Sequence, residues 1–138
     1  MQQFNIGDHA FRANGLTPRK AFHVARRLAP FLAMLKDLSP FLKGTETLDK
    51  EDPASIEKVL RPIGAAFAEM PEDDADYILD TCLAVVELKL PGDAGWQSIW
   101  VAGEPMFAWI DMPMMLRIVW HVVQANVASF LSAGPPAG

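Results

Sequence analysis

Few residues in this chain can perform nucleophilic or metal chemistry. The sequence holds three histidines and one cysteine, which cannot supply a closed structural zinc site at any usual spacing. His23 and His121 fall on different predicted helices, and Cys82 lies on a predicted apolar stripe, where a thiol is usually unreactive. A Cys–His catalytic pair stays open only if the thiol is exposed and an orienting group lies beside it. Without a glycine-rich phosphate loop or a nucleophile elbow, the sequence predicts no catalytic, metal-binding or cofactor-binding residues.

An acidic block, Glu72-Asp73-Asp74-Ala75-Asp76, invites comparison with a calcium site. A calcium loop of the EF-hand type needs spaced oxygen ligands and a glycine at its sixth position, and the block does not fit that pattern. The block follows Pro71 and opens a predicted helix, whose N-terminal dipole favours negative charge. These acids therefore predict the start of a helix.

Basic side chains gather on one side of the first predicted helix. That helix begins at Thr17-Pro18, where a hydroxyl caps it and proline fits the first helical position. At about 100° per residue, the apolar residues, Phe22 included, fall on the opposite side. A basic stripe is typical of a solvated face, a protein contact or a phosphate-binding surface. Four of its residues are predicted to bind protein: Arg19, His23, Arg26 and Arg27.

The charge balance weakens the phosphate interpretation of this stripe. The chain has 12 basic and 17 acidic residues and a net charge of −5, whereas nucleic-acid binders usually present a basic surface. Aromatic residues that could stack on bases are not interleaved with the arginines. We therefore expect no nucleic-acid partner. A small helical DNA-binding regulator is the alternative that the basic helix supports.

The last predicted helix is capped by Asp111 and runs to about Ser132. Apolar side chains cover most of its circumference, which is unusual for a surface helix. Arg117, His121 and Gln124 interrupt the apolar run, so no stretch reaches the roughly 18 apolar residues of a membrane span. The sequence favours a central core helix, or one shared with a second subunit, over a membrane helix. Four of its residues are predicted to bind protein: Trp120, Val123, Val127 and Phe130.

Aromatic and methionine residues are concentrated in the last third of the chain. Methionine is unbranched and adaptable, and it serves both irregular cores and promiscuous binding surfaces. The region therefore predicts either a groove for a partner helix or a core with gap-filling methionines. Its residues are Trp96, Trp100, Met106, Phe107, Trp109, Met112, Met114, Met115 and Trp120.

The remaining signals predict a mainly α fold. The composition, 51% apolar and 21% charged, is that of a chain that folds. Turn pairs predict an N-terminal β-hairpin between Phe4 and Leu16, and the segment from Trp96 to Phe107 fits a second hairpin or a packed aromatic loop. Further predicted elements are a first helix that continues past Pro30 to Leu38, a polar loop over 43–53, a helix from Pro53 to Met70 that is kinked or split at Pro62, and a helix from Glu72 to Pro91.

These elements predict one small helical domain over residues 1–133, with about four to five helices. A flexible tail is predicted over residues 134–138. The N-terminus lacks the basic and apolar blocks of a signal peptide, and a lone cysteine forms no internal disulfide. The sequence therefore predicts a cytoplasmic protein.

Several segments, taken in order, resemble the tail assembly chaperones encoded by long-tailed bacteriophages and prophages. The resemblance covers nearly the whole chain. It is carried by residues 22–30 of the first helix, by the acidic helix start over 71–79 with Cys82-Leu83, by the region around Trp96, and by the pattern from Met106 to Leu131.

The resemblance implies a non-enzymatic chaperone in the bacterial host cytoplasm. Its client would be the tape measure protein, which it would keep soluble while tail tube subunits polymerise around it. The resemblance also implies self-association, with the tail tube protein and a frameshifted longer form of the chain as further partners. The polar residues of the last helix separately predict no membrane partner. It supplies no contact residues, so the predicted protein-binding residues rest on the sequence pattern alone. A structural tail or baseplate component is the alternative.

Overall fold

Two separated parts of the chain build one antiparallel sheet against a set of helices. The computed structural model describes residues 2–31 and 53–133, and the side chains at 53–56, 59 and 127–133 fall outside the description. In chain order the elements are β1 (Gln2–Ile6), β2 (His9–Ala13), α1 (Pro18–Leu28), a 3-10 turn (Ala29–Phe31), α2 (Pro53–Glu69), α3 (Glu72–Leu83), β3 (Val86–Lys89), β4 (Trp96–Ser98), β5 (Trp100–Val101), β6 (Glu104–Pro105) and α4 (Met112–Ala133).

The main sheet has the strand order β1-β2-β3-β4, with every neighbouring pair antiparallel. Its strands alternate between a buried face and a more exposed face, as expected for a sheet that covers a core on one side. Phe11 of β2 pairs with Leu88 of β3, and both are buried. On the other face, Arg12 Nε lies 2.8 Å from Glu87 Oε1. The buried face consists of Phe4, Ile6, Phe11, Ala13, Val86 and Leu88.

The prediction of a mainly α fold is wrong. The described residues form an α+β fold, in which four helices accompany a four-stranded sheet and a separate two-stranded sheet. The error lies in the helix predicted from Glu72 to Pro91, which ends at Leu83 and is followed by strand β3. Val86 and Leu88 are buried while Glu87 and Lys89 are not, a two-residue alternation that matches a strand.

The predicted N-terminal hairpin is present, and of the two alternatives for the segment from Trp96 to Phe107 the structure has the hairpin. The N-terminal hairpin pairs β1 with β2 around Gly7 and Asp8, and Gly7 has the positive φ of 59° that favours glycine. The second hairpin pairs β5 with β6. An isolated two-stranded hairpin is marginally stable in water, so the pairing of β2 with β3 is what secures the N-terminal hairpin.

Proline affects two helices differently from the prediction. Thr17 caps α1 as predicted, with Lys20 N donating to Thr17 Oγ1 over 3.4 Å. The α-helix ends at Leu28 and tightens into a 3-10 turn that contains Pro30, so the predicted α-helical passage through Pro30 is wrong. Residues 32–38 and the predicted polar loop over 43–52 lie outside the described residues. In contrast, α2 is one helix that contains Pro62, so of the two predicted alternatives, a kink or a split, the split does not occur.

Helix α4 is the centre of the core, as predicted. It contacts α1, α2 and α3, and its residues from 116 to 123 are all buried. The buried set includes Arg117 and His121, and the His121 ring stacks on Phe4 of β1 with centroids 4.4 Å apart. The predicted cap is also confirmed, because Met114 N donates to Asp111 Oδ1 over 3.0 Å. Within the described residues no helix has the length and apolarity required to cross a membrane.

The turn between β5 and β6 contains the one non-glycine residue with positive φ in the described part of the chain. Ala102 has φ 54° and Gly103 has φ 80°, the signs that a two-residue type I′ turn requires at both positions. An L-residue in this conformation brings Cβ close to its own backbone, at a cost of about 1 kcal/mol. Ala102 therefore stores local strain that glycine would not.

Ala102→Gly is expected to raise the free energy of unfolding by about 0.5–1 kcal/mol, because glycine adopts positive φ without a Cβ clash. Urea denaturation followed by circular dichroism measures the change. Ala84→Gly is the matched control, since Ala84 is exposed and has a right-handed conformation with φ −65°. There the same substitution should lower stability. Changes of the same sign at both positions would contradict the strain argument.

Candidate protein-binding site

The predicted basic stripe of α1 is partly exposed. Arg19, Lys20 and Arg26 are exposed, while Val24, Ala25 and Leu28 are buried against the core, so α1 is two-faced as predicted. Phe22 differs from the prediction, because its side chain is 57% exposed and its ring meets His23 edge-on, with centroids 5.5 Å apart. The outer face of α1 therefore combines positive charge with one accessible aromatic ring.

Arg27, predicted as a protein-binding residue, is engaged within the chain. Its Nε lies 3.2 Å from Asp74 Oδ1, and its guanidinium carbon lies 4.0 Å from the centre of the Tyr77 ring. Arg27 Nη1 also donates to the backbone carbonyl of His23 over 3.1 Å. These contacts join α1 to α3 and give Arg27 a packing role, whereas Arg19 and Arg26 make no such contact with the described residues.

His23 lies between the exposed arginines and the α1–α3 contact. Its ring meets Tyr77 edge-on with centroids 6.1 Å apart, and its Nδ1 is buried with no hydrogen-bond partner among the described residues. Burial lowers the pKa of His23 from its ordinary value, and the charges of Arg26, Arg27 and Arg19 lower it further. His23 is therefore neutral at pH 7. As the pH falls below about 6.5, His23 binds a proton more readily in the unfolded chain than in the folded one. Through this residue, acid therefore lowers the free energy of unfolding.

Of the four predicted binding residues on α4, the two whose side chains are described lie away from the surface. Trp120 is 2% exposed and Val123 is 3% exposed, and both belong to the core. The side chains of Val127 and Phe130 fall outside the description. The structure therefore does not bring the α1 and α4 candidates onto one surface: Arg19 and Arg26 face outward, while Trp120 and Val123 face inward.

The cysteine and histidine side chains do not assemble a reactive group in the described residues. Cys82 is fully buried, and burial raises the pKa of its thiol to about 12, so the thiol is protonated at neutral pH. The described residues contain no group of three or more acidic, histidine or cysteine side chains that could hold a metal ion. Cys82 packs in the core.

Large exposed apolar side chains are concentrated in one segment. Five such side chains are exposed among the described residues: Phe22, Val101, Met106, Trp109 and Met112. All except Phe22 lie between residues 101 and 112, and we call those four side chains the 101–112 surface. The predicted protein-binding residues do not include these four. The sequence signal for this region is its content of aromatic residues and methionines.

Three contacts hold the segment that carries the 101–112 surface. Trp100 Nε1 donates to Asp80 Oδ1 over 3.0 Å, which fixes the β5–β6 hairpin to α3. Met106 N donates to Ile99 O over 2.8 Å. The Trp109 ring stacks on His9 of β2, with centroids 3.9 Å apart and planes 8° from parallel. The exposed apolar side chains therefore project from an anchored segment.

A groove of about 530 Å³ adjoins the 101–112 surface. Phe107, Trp109, His9 and Asp8 line it together with residues 88–92, at the end of β3. Its volume lies within the range of pockets that receive a ligand or several side chains of a partner. Trp109 belongs to both features, so the groove adjoins the surface at this ring.

The model of the phage tail assembly chaperone protein family matches residues 7–137. The chain belongs to this family. The match spans α1, the groove and the 101–112 surface, and it confirms the resemblance seen in the sequence. Comparison with curated proteins and with solved structures gave no match.

Arg27→Ala is expected to lower the free energy of unfolding of this chaperone by about 1–2 kcal/mol, because it removes a partly exposed ion pair, a cation–π contact and a hydrogen bond together. Arg26→Ala is the control, since Arg26 is its exposed neighbour and should change stability by less than about 0.5 kcal/mol. Chemical denaturation of both variants provides the comparison. Equal effects at the two positions would show that Arg27 does not tie α1 to α3.

Proposed function

We propose that this chaperone binds the tape measure protein in the host cytoplasm and keeps it soluble while tail tube subunits polymerise around it. The tail tube protein and a frameshifted longer form of the chain are further proposed partners. Family membership supports the role. The observation that carries the proposal is the concentration of exposed apolar side chains in the 101–112 surface.

The chemistry of the 101–112 surface suits a long client with many different segments. Met106 and Met112 are 47% and 66% exposed, and their flexible side chains can adapt to partners of different shape. Trp109 adds a large ring of the kind that often dominates binding energy at interfaces. Four large apolar side chains that stay exposed within one short segment of the chain support an interaction role for that segment.

The proposed role makes and breaks no covalent bond. Each histidine contacts an aromatic ring: His9 lies against Trp109, His23 against Tyr77 and His121 against Phe4. The Cys82 thiol is buried and protonated. These arrangements support packing roles for the residues that would otherwise be the first candidates for catalysis.

We also propose that copies of the chain associate through the outer face of α1. Arg19, Lys20 and Arg26 form an exposed basic face. Three exposed acids near the start of α3 share one side of that helix: Glu72, Asp73 and Asp76. Opposite charges on two faces of the same chain favour contact between the α1 face of one copy and the α3 face of another.

Co-expression with the tape measure protein from the same genome tests the client proposal. The wild-type chaperone should increase the soluble fraction of the tape measure protein, and Met106→Gln with Met112→Gln should reduce this gain because it removes apolar contact area. Ala65→Gln with Ala68→Gln, at exposed positions on α2, is the control and should keep the gain. Unchanged solubility with and without wild-type chaperone would contradict the proposed function.

Charge reversal tests the self-association proposal. Arg19→Glu with Arg26→Glu should weaken association about tenfold or more, and Asp73→Arg with Asp76→Arg should do the same, because each variant opposes like charges. Mixing the two variants should restore association, since the charges are again complementary. Light scattering after size-exclusion chromatography measures the masses. Wild-type mass for both separate variants would remove these faces from the interface.

A further inference from the structure

We infer that the segment bound at the 101–112 surface is a basic amphipathic helix of the client. This inference rests on the proposed function and adds the chemistry of the partner. It follows from the charges that surround the exposed apolar side chains, which are predominantly negative.

Carboxylates lie in the groove and beside residues of the 101–112 surface, in the fold or in the chain. Asp8 lines the groove beside Trp109, and Asp93 follows groove residue Gly92 in the chain. Glu104 pairs with Val101 across the β5–β6 hairpin, and Asp111 directly precedes Met112.

The basic residues near this surface are fewer. Lys89 lines the groove, whereas Arg12 is engaged with Glu87 and lies over the Trp96 ring. Asp8, Asp93 and Glu104 are all exposed and make no ion pair with any described residue. We call Asp8, Asp93, Glu104 and Asp111 the rim carboxylates. They outnumber the basic side chains near the surface, and their unpaired charge is available for a partner.

The inferred partner is a helix because an amphipathic helix presents its apolar residues along one face to a groove. Apolar residues three and four positions apart lie on one face of a helix and could contact Met106, Trp109 and Met112. Lysine and arginine on the flanks of that face would then lie near the rim carboxylates. Their attraction acts over about 8 Å at physiological salt, and it favours basic segments over acidic ones with the same apolar residues.

Three labelled helical peptides test the inference. They share one Leu/Phe seam and carry Lys/Arg, Gln or Glu on the flanks, and fluorescence anisotropy measures their binding to the full chain. The basic peptide should bind at least about tenfold more tightly than the acidic one, and the difference should shrink when salt is raised. Equal affinities for the three peptides, or tightest binding by the acidic peptide, would overturn the inference.

Removing rim charge provides the matched variant. Asp8→Asn with Glu104→Gln should weaken binding of the basic peptide about three- to tenfold and leave the Gln peptide unchanged. Glu57→Gln with Glu69→Gln removes the same charge at exposed positions on α2, outside this surface and outside the proposed self-association faces, and should have little effect. Equal weakening by both pairs would mean that the peptide responds only to net charge, and this would overturn the inference.

The outcomes separate this inference from the proposed function. If Met106→Gln with Met112→Gln abolishes solubilisation of the tape measure protein but Asp8→Asn with Glu104→Gln changes neither solubilisation nor peptide preference, only the inference fails. If the basic peptide is preferred but the tape measure protein is never solubilised, the proposed function fails. A fall in oligomeric mass caused by Asp8→Asn with Glu104→Gln, without loss of peptide binding, would identify a second copy as the occupant and overturn the inference.

Discussion

The pairing of β2 with β3 is the constraint on which the rest of the structure depends. It joins the first residues of the chain to a segment that follows α3, and it places Phe11 beside Leu88 on the buried face of the sheet. The β1–β2 pair and the β3–β4 pair would each be marginally stable alone. Pairing of β2 with β3 joins them into one four-stranded sheet. Helix α4 packs within the core that this sheet helps to close, and His121 stacks on Phe4 there.

The same pairing positions the proposed binding region. The groove is bounded by β2 at His9 and by the end of β3, with the ring of Trp109 lying on His9. Asp80 of α3 holds the β5–β6 hairpin through Trp100. The apolar side chains of a chaperone must stay accessible without collapsing into its own core, and these contacts provide that separation. Their exposure is therefore a property of the fold as well as of composition.

Local signals in the sequence were sufficient for the helix starts and the turns, because a cap or a turn is decided by residues close in the chain. Thr17, Asp111 and the Gly7-Asp8 turn behave as predicted. Strand β3 could not be predicted in this way, because it is short, directly follows a helix, and has its partner β2 far away in the sequence.

The same limit applies to the site: the basic character of α1 was visible, but the engagement of Arg27 by Asp74 and Tyr77 depends on tertiary contact. The aromatic and methionine content of the last third indicated a binding region, whereas only the fold separates exposed Met112 from buried Trp120.

The different surroundings of two indole rings give the chain a built-in optical reporter. Trp109 is 37% exposed and shares its face with an imidazole, whereas Trp120 is 2% exposed. A water-soluble collisional quencher reaches the first ring and is kept from the second, so their emissions differ in accessibility. A ligand that covers the groove shields Trp109, while loss of the core exposes Trp120. Trp96 and Trp100 are half-buried and emit as well, so the fraction of the total emission that is quenched distinguishes the two events without an attached dye: it falls on occupancy and rises on unfolding.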